Sequence, residues 1–198
     1  MFTGIVQAIG RIAELKPAGQ TAAVTIAAGG LDLADVAIGD SIACNGVCLT
    51  VAKLSGGTFS VDVSQETLRV TAGFTAGAAI NLEKSLRLAD RLGGHLVSGH
   101  VDGVGTVRSV QTVDGNSDLT VSFPPELGRY FARKGSATVN GVSLTVNTVE
   151  RDRFSVNLIP HTLKVTNLGE LKMDSKVNLE VDLVARYVER MLGEGEGQ

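Results

Sequence analysis

A thiol and a hydroxyl occupy the same place in two matching stretches of this sequence. Cys48 follows the pair Asn45-Gly46 by two positions, and Ser143 follows Asn140-Gly141 by two positions. Asn-Gly between alternating apolar residues predicts a tight β-hairpin, because both turn residues must adopt positive φ. Neighbours along a strand point to opposite faces, so each hairpin has an apolar face and a face of small polar residues. A small polar face that carries Cys48 or Ser143 suits contact with a ligand.

The pairing within each predicted hairpin follows from its turn. Folding the chain back at Asn45-Gly46 predicts the cross-strand pairs Cys44 with Val47, Ala43 with Cys48, Ile42 with Leu49 and Ser41 with Thr50. The core face then holds Ile42, Cys44, Val47, Leu49 and Val51. In the second stretch the core face holds Ala137, Val139, Val142, Leu144 and Val146, and the other face holds Ser136, Thr138, Ser143 and Thr145. Cys44 and Cys48 face opposite ways, so both are predicted to be free thiols.

Both hairpins belong to an internal repeat that runs through most of the chain. Ser136 lies 95 positions after Ser41, and the same spacing relates Gly4 to Gly99. Near the end of each half the spacing becomes 97, which two extra loop residues explain. We therefore predict a tandem duplication, with a first domain at residues 1–94 and a second at 95–180. Residues 181–198 would form a C-terminal helix and tail.

Each half consists of short β-like segments separated by turn signals. In the first half the strand candidates are Ile5–Ile12, Ala22–Ala27, Ser41–Cys44, Val47–Lys53, Thr58–Ser64 and Ala79–Leu86. Six short strands at this spacing favour a closed or nearly closed antiparallel barrel, which leaves few exposed sheet edges. Helical pieces are predicted to be brief, such as Gln65–Arg69 and Pro124–Phe131.

The last stretch has a different period. Apolar residues recur at helical spacing at Val181, Val184, Ala185, Val188, Met191 and Leu192. This pattern predicts an amphipathic helix of about three turns, followed by a frayed tail from Gly193 to Gln198. Two interpretations are open: the apolar stripe packs on its own barrel, or it joins the helix to other copies of the chain.

Composition and charge exclude several classes of function. The net charge is −3 and the pI is about 5.6, which gives no electrostatic basis for binding nucleic acid or an anionic membrane. No apolar run approaches the roughly 20 residues of a membrane span. The start, Met1–Gly4, lacks the basic segment of a signal peptide, so we expect a cytoplasmic protein with reduced thiols.

Other kinds of site find little support in the sequence. The pair Gly103 and Gly105 lacks the third glycine of a dinucleotide-binding loop. His95 and His100 would point to opposite faces of a strand, whereas zinc needs three or four converging ligands. We therefore predict no metal site. Plain structural interpretations also exist: Cys48 as a small buried apolar residue, His100 as a structural histidine and Lys134 as a solvated surface charge.

Several longer motifs together resemble one known family. They are Met1–Val6, Gly39–Val51, Gly93–Gly103, Lys134–Ser136, Asn140–Asn147 and Leu158–Leu163. They cover essentially the whole chain, which is similar to the riboflavin synthase α chain. The resemblance implies an all-β fold of two tandem six-stranded antiparallel Greek-key barrels plus a C-terminal α-helix. It also implies a transferase that needs no cofactor, in which two molecules of 6,7-dimethyl-8-ribityllumazine exchange a four-carbon unit and give riboflavin and 5-amino-6-ribitylaminouracil.

The resemblance further implies which residues bind the two substrate molecules. A first pocket is expected from Gly4, Ile5, Val6, Ser41, Cys48, Leu49, Thr50, Asp62, Val63, Ser64, Gln65, Glu66 and Thr67. A second pocket is expected from Gly99, His100, Val101, Lys134, Ser143, Leu144, Thr145, Asn157, Leu158, Ile159, Pro160, His161 and Thr162. The residues expected nearest the chemistry are Cys48, Ser41, Ser143, His100 and Asp182. Some relatives carry Asp in place of Asn140, so no acid–base role is expected there.

The resemblance also implies an assembly. The expected form is a homotrimer joined through the C-terminal helix, in which the two lumazines meet between the first barrel of one subunit and the second barrel of its neighbour. Whether a lumazine synthase capsid encloses the trimer is left open. The rival function is a non-catalytic antenna protein with the same fold and one bound ligand; Lys134 and Ser143 in the second half favour the enzyme. A barrel without any ligand would not require two matched small polar faces.

Overall fold

The computed structural model describes residues 1–193 and folds them into two closed six-stranded antiparallel barrels followed by a helix. The first barrel contains β1 (Ala8–Ala18), β2 (Thr21–Ala27), β3 (Ser41–Cys44), β4 (Val47–Ser55), β5 (Thr58–Ser64) and β6 (Ala79–Lys84). The second contains β7 (Gly103–Val113), β8 (Asn116–Ser122), β9 (Ser136–Val139), β10 (Val142–Val149), β11 (Arg153–Leu158) and β12 (Lys176–Val181). The predicted fold class is confirmed.

Both barrels have the same strand order. Around the first barrel the hydrogen-bonded neighbours are β1, β2, β5, β4, β3 and β6, and β6 closes on β1. The second barrel repeats this order with β7, β8, β11, β10, β9 and β12. In each barrel the second strand lies beside the fifth and a long link leads to the third, which is a Greek-key connection.

Alternating apolar residues fill each barrel separately. The inward-facing residues Ile12, Val24, Ile42, Phe59 and Leu82 form part of the first core and have no exposed surface. Their counterparts in the second core include Val107, Leu119, Val139, Phe154 and Leu179. Each such side chain contributes roughly 1.5–3 kcal/mol by burial, so each barrel carries its own stabilising core.

The hairpin predictions are confirmed. Cys48 pairs with Ala43 between β3 and β4, and Ser143 pairs with Thr138 between β9 and β10. Asn45 has φ of 48° in the turn between β3 and β4, as the predicted turn requires. Both cysteines are free, and Cys44 is fully buried. Several boundaries differ from the predicted ones. β1 begins at Ala8 rather than at Ile5, because the preceding residues leave the barrel, and Val181, predicted to begin the C-terminal helix, pairs with Ala137 as the last residue of β12.

The two barrels pack against each other in a pseudosymmetric way. Phe2 and Val97, the equivalent residues of the two halves, exchange backbone hydrogen bonds with N···O distances of 2.7 and 3.1 Å. The turn glycines of the two hairpins also meet: a Cβ on Gly46 would lie 2.9 Å from the backbone nitrogen of Gly141. Equivalent parts of the repeat therefore face each other across the barrel interface.

Buried asparagines connect the barrels across this interface. Asn81 donates through Nδ2 to the carbonyl of Asn140 at 2.9 Å, and Asn178 donates in the equivalent way to the carbonyl of Asn45 at 2.9 Å. The Asn167 N–H donates to Asn81 Oδ1 at 2.7 Å, as the equivalent Ala72 N–H does to Asn178 Oδ1, and the Asn167 side chain adds a bond that the first half lacks, donating to Asn45 Oδ1 at 2.9 Å. Buried amides are stable only when paired, so this network fixes the relative orientation of the barrels.

Short helices lie at the ends of strands. Helix α1 (Gln65–Val70) follows β5, and α2 (Pro160–Val165) follows β11. Two 3-10 helices span Pro125–Tyr130 and Asn167–Glu170, and α3 (Leu183–Gly193) ends the described chain. In the described residues, none of the helices is long and apolar enough to cross a membrane. Of the predicted tail, only Gly193 belongs to the described residues, and residues 194–198 lie outside them.

Helix α3 turns its charged side toward the second barrel. Arg186 donates to Asp102 at 2.6 Å, and Glu189 accepts from Arg129 at 2.8 Å. The apolar stripe faces outward, with exposures between 49% and 76% at Val184, Tyr187, Val188, Met191 and Leu192. The interpretation in which this stripe packs on its own barrel is therefore wrong for the single chain.

Candidate active site

The segment that precedes each barrel crosses to the hairpin of the other barrel. The carbonyl of Gly99 accepts a hydrogen bond from the Cys48 N–H at 2.8 Å, and the carbonyl of Gly4 accepts one from the Ser143 N–H at 2.8 Å. Each leading segment thus runs beside the small polar face of the opposite half. The predicted ligand face is covered at its centre, where Ala43 is 4% exposed, and only its edges stay open.

The sequence-based grouping of each leading segment with the hairpin of its own half is therefore wrong. Residues 4–6 lie with Ser143, and residues 99–101 lie with Cys48. Val101 packs against the core of the first barrel, which agrees with the same exchange. Each candidate site consequently contains parts of both halves of the chain.

Two glycines make this exchange possible. A Cβ on Gly99 would lie 2.6 Å from the Cβ of Cys48 and 2.9 Å from the ring of Phe2. A Cβ on Gly4 would lie 2.6 Å from the Cβ of Ser143. Their φ angles, 79° and 74°, also lie in the left-handed region that side chains disfavour. Only glycine allows the two backbones to approach this closely.

A buried carboxylate holds each glycine corner. Glu83 accepts a hydrogen bond from the Gly4 N–H at 3.0 Å, and Glu180 accepts one from the Gly99 N–H at 3.1 Å. Burial raises the pKa of both carboxyl groups. For Glu180 the nearby charge of Asp102 adds to the effect of burial, and the pKa rises to about 7. The two corners thus share a geometry and differ in electrostatics.

We call the first candidate surface the Cys48 site, formed by residues 48–50, 62–67 and 99–101. β4 and β5 are neighbours, so the Cys48 edge and the end of β5 lie together. Ser64 caps α1 there by accepting a hydrogen bond from the Thr67 N–H at 3.0 Å. Cys48 is partly exposed, whereas Cys44 is fully buried and burial raises the pKa of its thiol strongly. Cys48 is the thiol that a ligand can reach.

We call the second candidate surface the Ser143 site, formed by residues 4–6, 134, 143–145 and 157–162. The Ser143 hydroxyl lies 2.7 Å from Nδ1 of His95, and Nε2 of His95 lies 3.3 Å from the Thr138 hydroxyl. Burial lowers the pKa of His95, against the opposing charge of Asp182. A neutral imidazole has one donor and one acceptor nitrogen, so His95 can accept a hydrogen bond from one hydroxyl while it donates one to the other.

The functional residues expected from the sequence do not include His95, which the sequence suggests only as a possible metal ligand. The available signal was the pair Gly93-Gly94 just before it. A Cβ on Gly94 would lie 2.1 Å from the Thr3 carbonyl oxygen and 2.9 Å from the Ser143 Cβ. Gly94 lets the segment lie directly on the hairpin and brings the histidine to the serine.

Lys134 has an unusual backbone for a side chain of its size. Its φ is 68°, in the left-handed region, and the equivalent residue of the first half is Gly39 with φ of 98°. Both make the same bond, since the Lys134 N–H donates to Val146 O and the Gly39 N–H to Val51 O. A non-glycine residue in this conformation costs on the order of 1 kcal/mol. A lysine kept at that cost supports a role for its side chain.

Ser41 lines a cavity that shares Ile5 with the Ser143 site. This cavity has a volume of about 790 Å³, and its lining includes Ile5, Glu83 and Lys84. Neither Cys48 nor Ser143 lines it. Within residues 1–193, no group of three or more His, Cys, Asp or Glu side chains could hold a metal ion.

The other predicted residues include buried and exposed side chains. Leu49, Val63, Leu144 and Leu158 are buried in the barrel cores, so only their backbone can contact a ligand. Exposed side chains occur at Thr50, Asp62, His100, Asn157, Ile159 and His161. Asn157 donates to Asp118 at 2.7 Å, and Asp182 lies between β12 and α3, where it accepts from the Val184 N–H at 2.9 Å.

Comparison with known proteins agrees with this duplicated architecture. A family model described as a lumazine-binding domain matches residues 3–85 and again residues 98–182. A riboflavin synthase from Photobacterium phosphoreum is 46% identical over 97% of this chain and 89% of its own length. The riboflavin synthase of Bacillus subtilis is 41% identical over 97% of this chain and 90% of its own length. The chain belongs to the riboflavin synthase family.

Solved structures similar to this riboflavin synthase family member contain bound ligands. LumP complexed with 6,7-dimethyl-8-(1'-D-ribityl) lumazine has a TM-score of 0.82 and 27% identity, covering 91% of this chain and 99% of LumP. LumP complexed with riboflavin has a TM-score of 0.84 and 28% identity over the same shares. The duplicated fold is therefore one that accommodates lumazine and flavin rings in LumP.

Proposed function

We propose that this chain catalyses the riboflavin synthase reaction. Two molecules of 6,7-dimethyl-8-ribityllumazine react, one transfers a four-carbon unit to the other, and the products are riboflavin and 5-amino-6-ribitylaminouracil. The observation that carries this proposal is 46% identity to a riboflavin synthase along nearly the whole chain, and the equivalent hairpin edges at Cys48 and Ser143 support it. The proposal needs no cofactor, because the lumazine itself supplies both the carbon acid and the electrophile.

One lumazine would occupy each site. Backbone groups at the hairpin edges, residues 48–50 and 143–145, would pair with the pyrimidinedione ring. Polar side chains at residues 62–67 and 157–162 would hold the ribityl chains, with Lys134 beside the second ring. Holding two rings face to face converts a bimolecular encounter into a local reaction, which lowers the barrier by roughly 7–11 kcal/mol.

Proton transfer would begin at the C7 methyl group of one lumazine. The neutral His95, bonded to Ser143 at 2.7 Å, is the base we assign to this proton, either directly or through the hydroxyl. The resulting carbanion is delocalised over the ring and attacks the lumazine in the Cys48 site. Such assistance contributes typically 10²–10⁴-fold to the rate. Cys48 and Asp182 remain proposed participants, with Ser41 and His100 at the edges of the Cys48 site.

The proposed assembly is a homotrimer joined by α3, with domain limits at residues 1–94, 95–180 and 181–198. The outward stripe of α3 supports it, because five large side chains there have no cover in the single chain. Each one buried between subunits contributes roughly 1.5–3 kcal/mol. In this assembly the Cys48 site of one subunit faces the Ser143 site of its neighbour.

The second candidate function is a lumazine-binding antenna without catalysis; the similarity to LumP supports ligand binding but does not favour this candidate over the enzyme. The two functions predict different fates for the ligand. Purified protein mixed with 6,7-dimethyl-8-ribityllumazine should consume two lumazines for each riboflavin formed, as chromatography and absorbance would measure. A protein that binds lumazine tightly and returns it unchanged would overturn the proposed enzyme and establish the antenna.

A further inference from the structure

Asp102 and Gln7 hold equivalent places in the two halves. Gln7 Oε1 accepts a hydrogen bond from the Lys84 N–H at 2.9 Å, and Asp102 Oδ2 accepts one from the Val181 N–H at 2.8 Å. Each bond ties a leading segment to the end of the last strand in the same half. The repeat therefore preserves this attachment while it exchanges an amide for a carboxylate.

Of the Gln7 and Asp102 side chains, only the Asp102 carboxylate accepts a second hydrogen bond. Asp102 Oδ1 accepts from the Arg186 guanidinium of α3 at 2.6 Å. The Asp102 side chain is 12% exposed and the Arg186 side chain 43%, so the ion pair is partly shielded from water. No helix follows β6 in residues 85–102, so the first half has nothing equivalent to α3.

The pair lies at the end of the segment that covers Cys48. Glu180 holds the start of this segment through the N–H groups of Ser98 and Gly99, at 2.6 and 3.1 Å. Asp102 holds its end, and between them the Gly99 carbonyl accepts from the Cys48 N–H. Arg186 therefore restrains the far end of the edge that borders the thiol.

We propose that Asp102 and Arg186 are a positioning pair through which helix α3 sets the 99–101 edge of the Cys48 site. Neither residue touches the reacting atoms; the pair acts by fixing the backbone beside Cys48. Its effect on turnover rests on the proposed function. Its effect on the accessibility of the thiol does not, so the two can fail separately.

The accessibility of Cys48 gives a direct test on the full chain. Iodoacetamide should alkylate only this thiol in the folded protein, because Cys44 is fully buried. Arg186→Gln and Asp102→Asn should each raise the alkylation rate about fivefold, the factor that corresponds to an ion pair worth about 1 kcal/mol. Asp102→Asn keeps an oxygen for the Val181 N–H, so its fold should be undisturbed. Arg186→Lys should restore a rate within about twofold of the parent.

A matched control is available on the same helix. Glu189→Gln removes the negative charge from the ion pair with Arg129, which ties α3 to the second barrel away from the Cys48 edge. It should leave the alkylation rate at the parent value if the positioning pair acts locally. Equal rates in Arg186→Gln and Glu189→Gln would overturn the proposal, because general loosening of the helix would then account for both.

The catalytic consequence is measured separately. The KM for 6,7-dimethyl-8-ribityllumazine should rise about fivefold in Asp102→Asn while kcat changes little, since the pair positions the binding edge. A fall in kcat at constant KM would contradict a positioning role at this edge. If the parent protein forms no riboflavin but the alkylation rates change as expected, the proposed function fails and the positioning pair stands.

Discussion

The Cys48 site and the Ser143 site are built from the same backbone parts and differ at a few side chains. Ser143 has a neutral histidine at 2.7 Å, whereas in residues 1–193 no hydrogen bond joins a histidine to Cys48. The same backbone position holds Lys134 in one half and Gly39 in the other. Duplication thus gives two similar frameworks, and these substitutions give them different titratable side chains. Two identical substrates with unlike roles require this kind of asymmetry.

The two halves also differ in the segment that comes after their last strand. β12 leads into α3, whose charged side contacts the second barrel and whose apolar side faces outward. β6 leads instead into the segment that carries His95. The connection after each barrel therefore supplies a different component: a histidine beside Ser143 in one case and an outward apolar surface in the other.

Among the changes that test this comparison of the two halves, removing α3 should have the largest effect on turnover. A chain that ends after Asp182 should be a monomer with turnover lower by on the order of 10³-fold, because the two lumazines would no longer be held together. Val181 must be kept, since it pairs with Ala137 in the second barrel. Sedimentation and a riboflavin assay would measure both properties, with a chain lacking only residues 194–198 as control. Full activity in a proven monomer would place both substrates within one chain.

Replacing the histidine of the Ser143 site should give the next largest effect. His95→Gln should lower kcat by on the order of 10²-fold and leave lumazine binding within about threefold, because it removes the base and keeps a polar side chain. His100→Gln is the matched control, since that exposed side chain lies at the Cys48 site. A similar loss in both variants would remove the asymmetry that we assign to the sites.

The pH profile sharpens this prediction. Burial lowers the pKa of His95, so the neutral ring persists to more acidic pH than an ordinary histidine would allow. Activity that depends on the neutral form should fall as the pH drops through that lowered pKa. In His95→Gln this acidic limb should disappear from the kcat profile. If the acidic limb persists unchanged in His95→Gln, it reports the titration of another group.

Local features of the fold were predictable from the sequence. The pair Asn45-Gly46 fixed the turn, and the alternation around Cys48 fixed the register and the buried face. The exchange of leading segments was not predictable. In a tandem repeat, contact of Gly99 with either hairpin satisfies the same pattern, and only packing between the barrels selects one of them.

His95 and α3 show the same limit of prediction from the sequence in another form. His95 has no equivalent in the first half, so comparing the two repeats could not single it out. The period of α3 predicted a helix and a stripe. It could not predict that ion pairs of Arg186 and Glu189 would turn the charged side inward, since Asp102 and Arg129 are distant in sequence.

The two buried carboxylates should differ in how they couple stability to pH. The pKa of Glu180 is raised to about 7, so the folded state holds its proton more tightly than the unfolded chain. Its stabilising contribution is present below the unfolded pKa and is lost as the pH rises toward 7, by roughly 2–3 kcal/mol. Denaturant unfolding at pH 5 and pH 8 should show this fall in the parent. Glu180→Gln should largely abolish this fall in stability. Glu83→Gln should retain most of it, because Glu83 has no neighbouring carboxylate equivalent to Asp102.

The smallest effect is expected from a substitution that makes the small polar faces of the two hairpins alike. Cys48→Ser gives the first hairpin the hydroxyl of Ser143, and it should keep measurable turnover at a rate about fivefold lower. Cys48→Ala should lose about tenfold, because it removes the polar group altogether. We expect no stable covalent bond between the thiol and substrate, so mass spectrometry during turnover should find unmodified protein. A folded serine variant that binds lumazine but forms no riboflavin would assign Cys48 a chemical step that a hydroxyl cannot perform. The unlike roles of the two lumazines would then depend on the thiol itself and not only on the histidine beside Ser143.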